Sequence, residues 1–135
     1  MSCLDTTYFI DFIRNPEIVR NITAIAEKEG ILYTTVITVH ETMSGSYCVK
    51  DDIKRAHLVD KLGKAFTRVE VLDYTRKDAL KSAEISGTLM ARGINVGNDA
   101  IVAGIALNNG LHVITRNRKH FEPIQEYFGL TTKFY

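Results

Sequence analysis

Apolar and polar positions follow two different periods along the chain, and the period switches repeatedly between its two ends. Short apolar runs predict β-strands in "SCLD", "ILYTT", "RVEVL" and "LHVIT", with a final edge strand in "LTTKF". Between them, apolar residues at helical spacing predict α-helices in "TTYFIDFIRN", over 16–29, from about Val36, over 50–66, over 75–92 and in "NDAIVAGIALNN". Strands therefore alternate with helices along the whole chain.

This alternation predicts an α/β fold in which a central parallel β-sheet is flanked by α-helices joined through right-handed crossovers. The segment "NDAIVAGIALNN" is apolar nearly all round, so we place it in the interior, with Asn98 as its cap. In parallel sheets of this kind, ligands bind beyond the carboxyl ends of the strands. Functional residues are therefore expected at strand ends.

Composition limits the class of protein without naming its chemistry. A length of 135 residues with 45% hydrophobic and 24% charged residues is that of one globular domain, taken here as 1–135. The longest apolar run, Ile101 to Leu107, is far shorter than the roughly 20 residues that span a bilayer. Asp5 interrupts any signal peptide, and Cys3 and Cys48 lack zinc-site spacing, so we expect a cytoplasmic protein with reduced thiols.

Three acidic residues occupy positions that a simple surface pattern does not require. Asp5 ends the first strand, Glu41 lies inside the helix that starts near Val36, and Asp99 opens the apolar helix. Each has a simpler explanation, since Asp5 and Asp99 suit helix starts and Glu41 can face solvent. Because all three elements end at the same edge of the predicted sheet, we expect the three carboxylates in one crevice.

Electrostatics then limits what such a crevice contains. Two carboxylates about 4 Å apart repel by roughly 4 kcal/mol at an effective dielectric near 20, against a total stability of about 5–15 kcal/mol. The cluster therefore needs protons or a cation, and oxygen-only ligands favour Mg²⁺ or Mn²⁺. A divalent ion held by carboxylates beside a basic surface suits phosphodiester hydrolysis.

A basic surface is available directly after the fourth strand, in "HVITRNRKHF". Arg116, Arg118 and Lys119 follow the strand end and are candidates for contact with the phosphates of a polyanion, although a solvated basic turn is the simpler alternative. The net charge of +1 provides no independent argument for nucleic acid. We interpret Asp78 and Glu84, on the 75–92 helix, as surface charges.

Three blocks of the sequence resemble, in the right order, those of PIN-domain proteins. They are "CLDTTYFIDFIRN", "TVHETMSG" and "GINVGNDAIVAGIALNNGLHVITRNRKHFEPI", and together they cover nearly the whole chain. The length is similar to that of stand-alone toxins of the VapC type. The resemblance implies a compact PIN-like domain with ribonuclease activity that depends on Mg²⁺ or Mn²⁺.

The resemblance also implies roles for individual residues. Asp5 and Asp99 become principal metal ligands, Glu41 a ligand directly or through water, and Thr6 and Asn98 supporting polar residues. Many relatives carry a further acid just after the threonine that closes the fourth strand, which is Thr115 in this chain. Here Asn117 stands in that place, which implies one firmly held metal ion, with Thr115 and Asn117 lining the crevice.

Two functional hypotheses follow. The first is a metal-dependent endoribonuclease that hydrolyses RNA, the toxin of a type II toxin–antitoxin pair, for which the resemblance implies a homodimer and a cognate antitoxin. The second is a catalytically weak RNA-binding or partner-binding module on the same scaffold, because Asn117 replaces an acid.

Overall fold

The computed structural model describes residues 1–135 as one sheet and seven helices. The strands and helices, in chain order, are β1 (Ser2–Leu4), α1 (Thr6–Arg14), α2 (Pro16–Glu29), β2 (Leu32–Thr35), α3 (Val36–Tyr47), α4 (Asp52–Phe66), β3 (Glu70–Leu72), α5 (Arg76–Met90), α6 (Asp99–Asn108), β4 (His112–Thr115), α7 (Arg118–Phe128) and β5 (Thr132–Phe134). All strand pairs are parallel. The predicted α/β class with a central parallel sheet is confirmed.

The strand order is β3-β2-β1-β4-β5, so β1 is central and the chain builds the sheet outward from it in both directions. Leu4 of β1 pairs with Ile114 of β4, and the chain leaves these two neighbouring strands toward different helices. A crevice opens where such connections diverge, beyond the carboxyl ends of the two strands. The fold therefore defines one edge, after β1 and β4, at which polar side chains can meet.

Each face of the sheet carries its own hydrophobic core. Cys3 and Val113 point to the face covered by α5, α6 and α7, while their neighbours Leu4 and Ile114 point to the face covered by α1, α2 and α4. This alternation is the period of two that a strand imposes on its side chains. Because both faces are covered, β1 is buried along its whole length.

Helix α6 lies in the interior, as its apolar sequence predicts. Its residues from Val102 to Ala106 are all buried, and a Cβ at Gly104 would lie 3.0 Å from the backbone nitrogen of Ser82 in α5. The absence of a side chain lets the two helices approach closely. Asp99 is the first residue of this buried helix, so it lies at the carboxyl-terminal edge of the sheet.

Three sequence-based expectations differ from the structure. Helix α7 was not predicted, because its basic first turn resembles a loop; Phe121 and Ile124 bury one side of it. Asn98 occupies the cap position of α6 but its side chain makes no capping bond.

Asp78 is buried and is not a surface charge. It forms a capping box with Thr75 and accepts a hydrogen bond from Asn108 Nδ2 at 2.8 Å.

Smaller differences concern helix ends, with α4 and α5 shorter than the predicted 50–66 and 75–92. None of the helices combines the length and the apolar character needed to cross a membrane.

Candidate active site

Asp5 follows the last residue of β1 and caps the helix that comes next. Its Oδ1 accepts hydrogen bonds from Thr7 Oγ1 at 2.7 Å and from the backbone nitrogen of Tyr8 at 3.3 Å. Its Oδ2 accepts from Thr115 Oγ1, at the end of β4, at 2.6 Å. Asp5 therefore caps α1 and also links the end of β1 to the end of β4 through the hydroxyl of Thr115.

Asp5 is only 1% exposed, and burial is the main influence on the acidity of its carboxyl group. Burial raises the pKa of Asp5 to about 6, and the nearby Asp99 carboxylate raises it further, while the hydroxyls of Thr115 and Thr7 act in the opposite direction. Hydroxyl donors compensate only part of the cost of burying a charge. The fold thus holds an acid that resists ionisation.

Glu41 reaches the same edge from the second turn of α3. The helix starts immediately after β2, where the backbone nitrogen of Thr38 donates to Thr35 Oγ1 at 3.2 Å. Thr6 Oγ1 donates to Glu41 Oε1 at 2.7 Å, so the residue after Asp5 orients this second carboxylate. Glu41 Oε2 accepts no hydrogen bond from the protein.

Asp99, in the first turn of α6, is held from the opposite side. Its Oδ2 lies 2.8 Å from His120 Nδ1 and 3.0 Å from Asn117 Nδ2, whereas its Oδ1 accepts no hydrogen bond from the protein. Burial raises the pKa of Asp99 most strongly and Glu41 adds to this, while His120 and Asn117 oppose it. One oxygen of this carboxylate is fixed, and the other is open.

The structure brings Asp5, Glu41 and Asp99 to a single open cavity of about 270 Å³, which we call the acidic cavity. Its other lining residues are Thr6, Thr7, Val96, Gly97, Asn98, Asn117 and His120. As they stand, no three acidic, histidine or cysteine side chains converge to hold a metal ion. The donors are nevertheless the oxygen ligands that Mg²⁺ and Mn²⁺ prefer, and two carboxylates keep an open oxygen.

The supporting polar residues and the basic residues divide into two groups. Thr6, Thr115, Asn98 and Asn117 contact the carboxylates or line the acidic cavity. The three basic residues, by contrast, lie beside the cavity and do not line it.

Two of the three basic residues are engaged elsewhere. Arg116 binds Asp11 through Nε at 2.9 Å and Nη2 at 3.0 Å. Arg118 stacks over Phe134, 4.4 Å from the ring centre, and pairs with Glu122 at 3.2 Å. Lys119 is exposed and has no side-chain hydrogen bond or ion pair, so it is the least committed charge of the three.

Sequence reasoning missed several members of this network. Asp11 is 5% exposed and accepts from Tyr135 as well as from Arg116. One signal was available, because Asp11 lies three residues after Tyr8 and so falls on the buried face of α1. The sequence gives no signal for His120, because its contact with Asp99 joins residues 21 positions apart.

With this geometry established, comparison with known proteins identifies the family. The PIN domain family model matches residues 2–125. The chain belongs to the PIN domain family.

This PIN domain is 41% identical over 59 residues to the tRNA(fMet)-specific endonuclease VapC of Salmonella typhimurium. That alignment covers 43% of the chain and 45% of the relative, so the chain matches less than half of that protein's length.

Whole-chain similarity comes from solved structures. The DNA-bound VapBC complex of Salmonella typhimurium contains a chain that is 28% identical, with a TM-score of 0.84 and coverage of 98% of this PIN domain and 96% of that chain. VapBC2 of Rickettsia felis, bound to a promoter DNA fragment, has the same fold with a TM-score of 0.86 at 22% identity, over 99% and 98% of the two chains. The parallel sheet and its helices are thus those of a PIN domain over nearly the full length.

The raised pKa of Asp5 predicts a specific pH dependence of stability in the metal-free protein. The pKa of Asp5 is about 6 in the folded protein, whereas its ordinary value is 3.8. Between pH 3.8 and pH 6, the folded protein therefore binds more protons at this residue than the unfolded chain does. Folding is then favoured at low pH, and as pH rises from about 4 to about 6 this residue removes up to about 3 kcal/mol of stability.

Urea unfolding in EDTA, compared between the wild type and Asp5→Asn, measures this contribution. The wild type is expected to lose more stability than Asp5→Asn as the pH rises through this range, because the amide does not titrate. Equal pH dependence of the two proteins would contradict the buried, hard-to-ionise Asp5.

Proposed function

We propose that this PIN domain is a metal-dependent endoribonuclease that hydrolyses RNA phosphodiester bonds and serves as the toxin of a type II toxin–antitoxin pair. The observation that carries the proposal is the gathering of Asp5, Glu41 and Asp99 in one open cavity at the carboxyl ends of β1 and β4. The name of the Salmonella relative, an endonuclease specific for tRNA(fMet), supports a nuclease, and membership of the PIN family supports the chemistry.

Asp5, Asp99 and Glu41 would hold Mg²⁺ or Mn²⁺, through Asp99 Oδ1, Glu41 Oε2 and the carboxylate of Asp5. Such an ion, when bound, supplies activation of water and neutralisation of charge on a phosphodiester. It would also offset the burial, and the smaller effect of the neighbouring carboxylates, that raise the pKa of both aspartates. Because the three carboxylates do not yet converge, binding would draw the open oxygens together.

The surrounding residues position these groups. Thr7 and Thr115 hold the two oxygens of Asp5, and Thr6 holds one oxygen of Glu41, so hydroxyl donors set the direction of the carboxylates. Lys119 and Arg118, in the first turn of α7, are the proposed contacts for RNA phosphates beside the cavity. Arg116 would contribute less, since it pairs with the buried Asp11, whereas the pair between Arg118 and Glu122 is exposed on both sides.

Cleavage of a short labelled RNA tests the proposal. With Mn²⁺, the wild type is expected to cleave, and EDTA is expected to abolish cleavage. Asp5→Asn and Asp99→Asn are each expected to lower the rate by more than about 100-fold, beyond the 10–100-fold typical of losing a group that only orients a ligand. Asp60→Asn, on the exposed surface of α4, is the matched control and should retain the wild-type rate.

Binding of RNA without cleavage, unaffected by Asp5→Asn or Asp99→Asn, would contradict the enzyme. It would instead support the alternative of an RNA-binding or partner-binding module.

A second cavity connects the proposed chemistry to a partner. This apolar groove of about 150 Å³ lies between α1, α3 and α4. It is lined by Phe9, Ile10, Ile13, Arg14, Glu41, Thr42, Gly45, Ser46, Val49, Leu58 and Leu62. Glu41 belongs to both the groove and the acidic cavity. We propose that the cognate antitoxin lays an apolar segment in this groove and extends a basic side chain to Glu41, which blocks the site.

A charge placed in the groove should separate inhibition from catalysis. Ile10→Asp is expected to weaken co-purification with the co-expressed antitoxin at least about 10-fold, because the partner's apolar side chains would meet a carboxylate. RNA cleavage by the free variant should remain at the wild-type rate. Ile25→Asp, on the exposed side of α2 and outside the groove, is the control. Undiminished capture of the antitoxin by Ile10→Asp would contradict this placement.

A further inference from the structure

Helix α4 and the residues next to it hold an excess of basic residues that the rest of the chain lacks. Residues 50–68 carry six of the 17 lysines and arginines but only three of the 16 acidic residues, so the other residues together are net negative. Basic or titratable residues recur along α4 at spacings of three or four, at Lys54, His57, Lys61 and Lys64. At about 100° per residue, these four fall within about 80° of the helix circumference. We call them the basic ridge.

The acidic residues of α4 compensate only part of this ridge. Asp60 pairs with Lys64 at 3.0 Å, and the two acids at the start of the helix cap its backbone or pair with Arg55. Lys54 and Lys61 form no ion pair with a protein carboxylate. They are about 10 Å apart along the helix axis, at about 1.5 Å per residue. The ridge therefore keeps two uncompensated positive charges on one side of α4.

The basic ridge borders the apolar groove between α1, α3 and α4. Leu58, which lines this groove, lies one turn from both Lys54 and Lys61 on the surface of α4. Lys61 Nζ lies 5.8 Å from the ring centre of Phe12, so this lysine reaches α1. Arg14, at the end of α1, also lines the groove and forms no ion pair. Basic side chains thus lie on the α4 side and on the α1 side of the groove.

Basic residues also lie on both sides of the acidic cavity. Glu41 lines the cavity as well as the groove, so the surface beside α4 leads to the cavity. On the other side, α7 starts with Arg118 and Lys119. Helices α4 and α7 are on opposite faces of the sheet, because Leu62 and Phe121 belong to the two separate cores. Positive charge on either side of the cavity fits a long polyanion with regularly spaced charges.

We propose that the basic ridge binds the phosphate backbone of the RNA substrate, which extends from α7 across the acidic cavity to α4. The inference rests on the proposed endoribonuclease function. Lysine presents a point charge, so these contacts position the RNA without reading its sequence. The ridge is about 15 Å long, which corresponds to about four nucleotides at about 3.4 Å per nucleotide of a stacked strand. The substrate is therefore an RNA that continues for several nucleotides beyond the cleaved bond on the α4 side.

The salt dependence of RNA binding tests this inference without any measurement of cleavage. A labelled single-stranded RNA longer than the ridge is bound, in EDTA and over a range of KCl concentrations, to the full chain carrying Asp5→Asn. In this background, Lys54→Gln combined with Lys61→Gln is expected to weaken binding about 10-fold at low salt. The slope of log affinity against log salt should fall by about 1.4, because each phosphate contact of a single strand contributes about 0.7. Lys54→Gln alone, at an exposed position, should lower the slope by about half as much.

Lys28→Gln combined with Lys77→Gln is the matched control. It removes two exposed lysine charges, from α2 and α5, that lie outside both the groove and the acidic cavity. This variant should keep the slope of the Asp5→Asn background.

The possible failures are distinguishable. An unchanged slope in the ridge variants, or an equal decrease in the control, would overturn the inference and leave the proposed nuclease intact. Weaker capture of the co-expressed antitoxin with an unchanged RNA slope would assign the ridge to an acidic protein segment, and would overturn the inference as well. If the slope falls as expected but the wild type does not cleave RNA with Mn²⁺, the proposed nuclease fails and the ridge remains an RNA-binding surface.

Discussion

The active edge of this PIN domain depends on the burial of one carboxyl group at the end of the central strand. Asp5 is almost inaccessible, and its two oxygens are held by hydroxyls from the start of α1 and the end of β4. Burial raises its pKa to about 6, so the fold places an acid where a negative charge is costly. A bound cation would make that charge tolerable, and the remaining features of the site can be understood from this requirement.

The three carboxylates of the acidic cavity differ in how many of their oxygens accept hydrogen bonds from the protein. Hydroxyl and N–H donors occupy both oxygens of Asp5 but only one oxygen each of Glu41 and Asp99, which leaves Glu41 Oε2 and Asp99 Oδ1 without a protein donor. A donor on one oxygen orients the side chain and leaves its other oxygen available to a ligand. Because Glu41 also lines the apolar groove, a partner bound there would lie beside the acidic cavity. In the proposed function, inhibition and chemistry would therefore share Glu41.

The sequence patterns predicted the features that depend on local hydrophobic periodicity and on the residues at strand ends. The alternation of strands and helices predicted the parallel sheet, and the position of Asp5 after β1 predicted its place in the acidic cavity. Contacts between distant positions were not predicted. An example is the contact of Arg116 with Asp11, which are 105 residues apart. Helix α7 escaped for a different reason, since its first turn is basic and its buried face carries only Phe121 and Ile124. Contacts between residues that are far apart in the sequence leave no local periodicity, so they cannot be inferred from the sequence pattern.

The most direct test of the account is the effect of Mg²⁺ on thermal unfolding at neutral pH. If three carboxylates share a cation, Mg²⁺ at about 100 times its dissociation constant should stabilise the wild type by about 3 kcal/mol and raise its Tm by several degrees. The double variant Asp5→Asn and Asp99→Asn should show little or no such increase. An unchanged Tm of the wild type at millimolar Mg²⁺, or an equal increase in the double variant, would contradict the shared metal site.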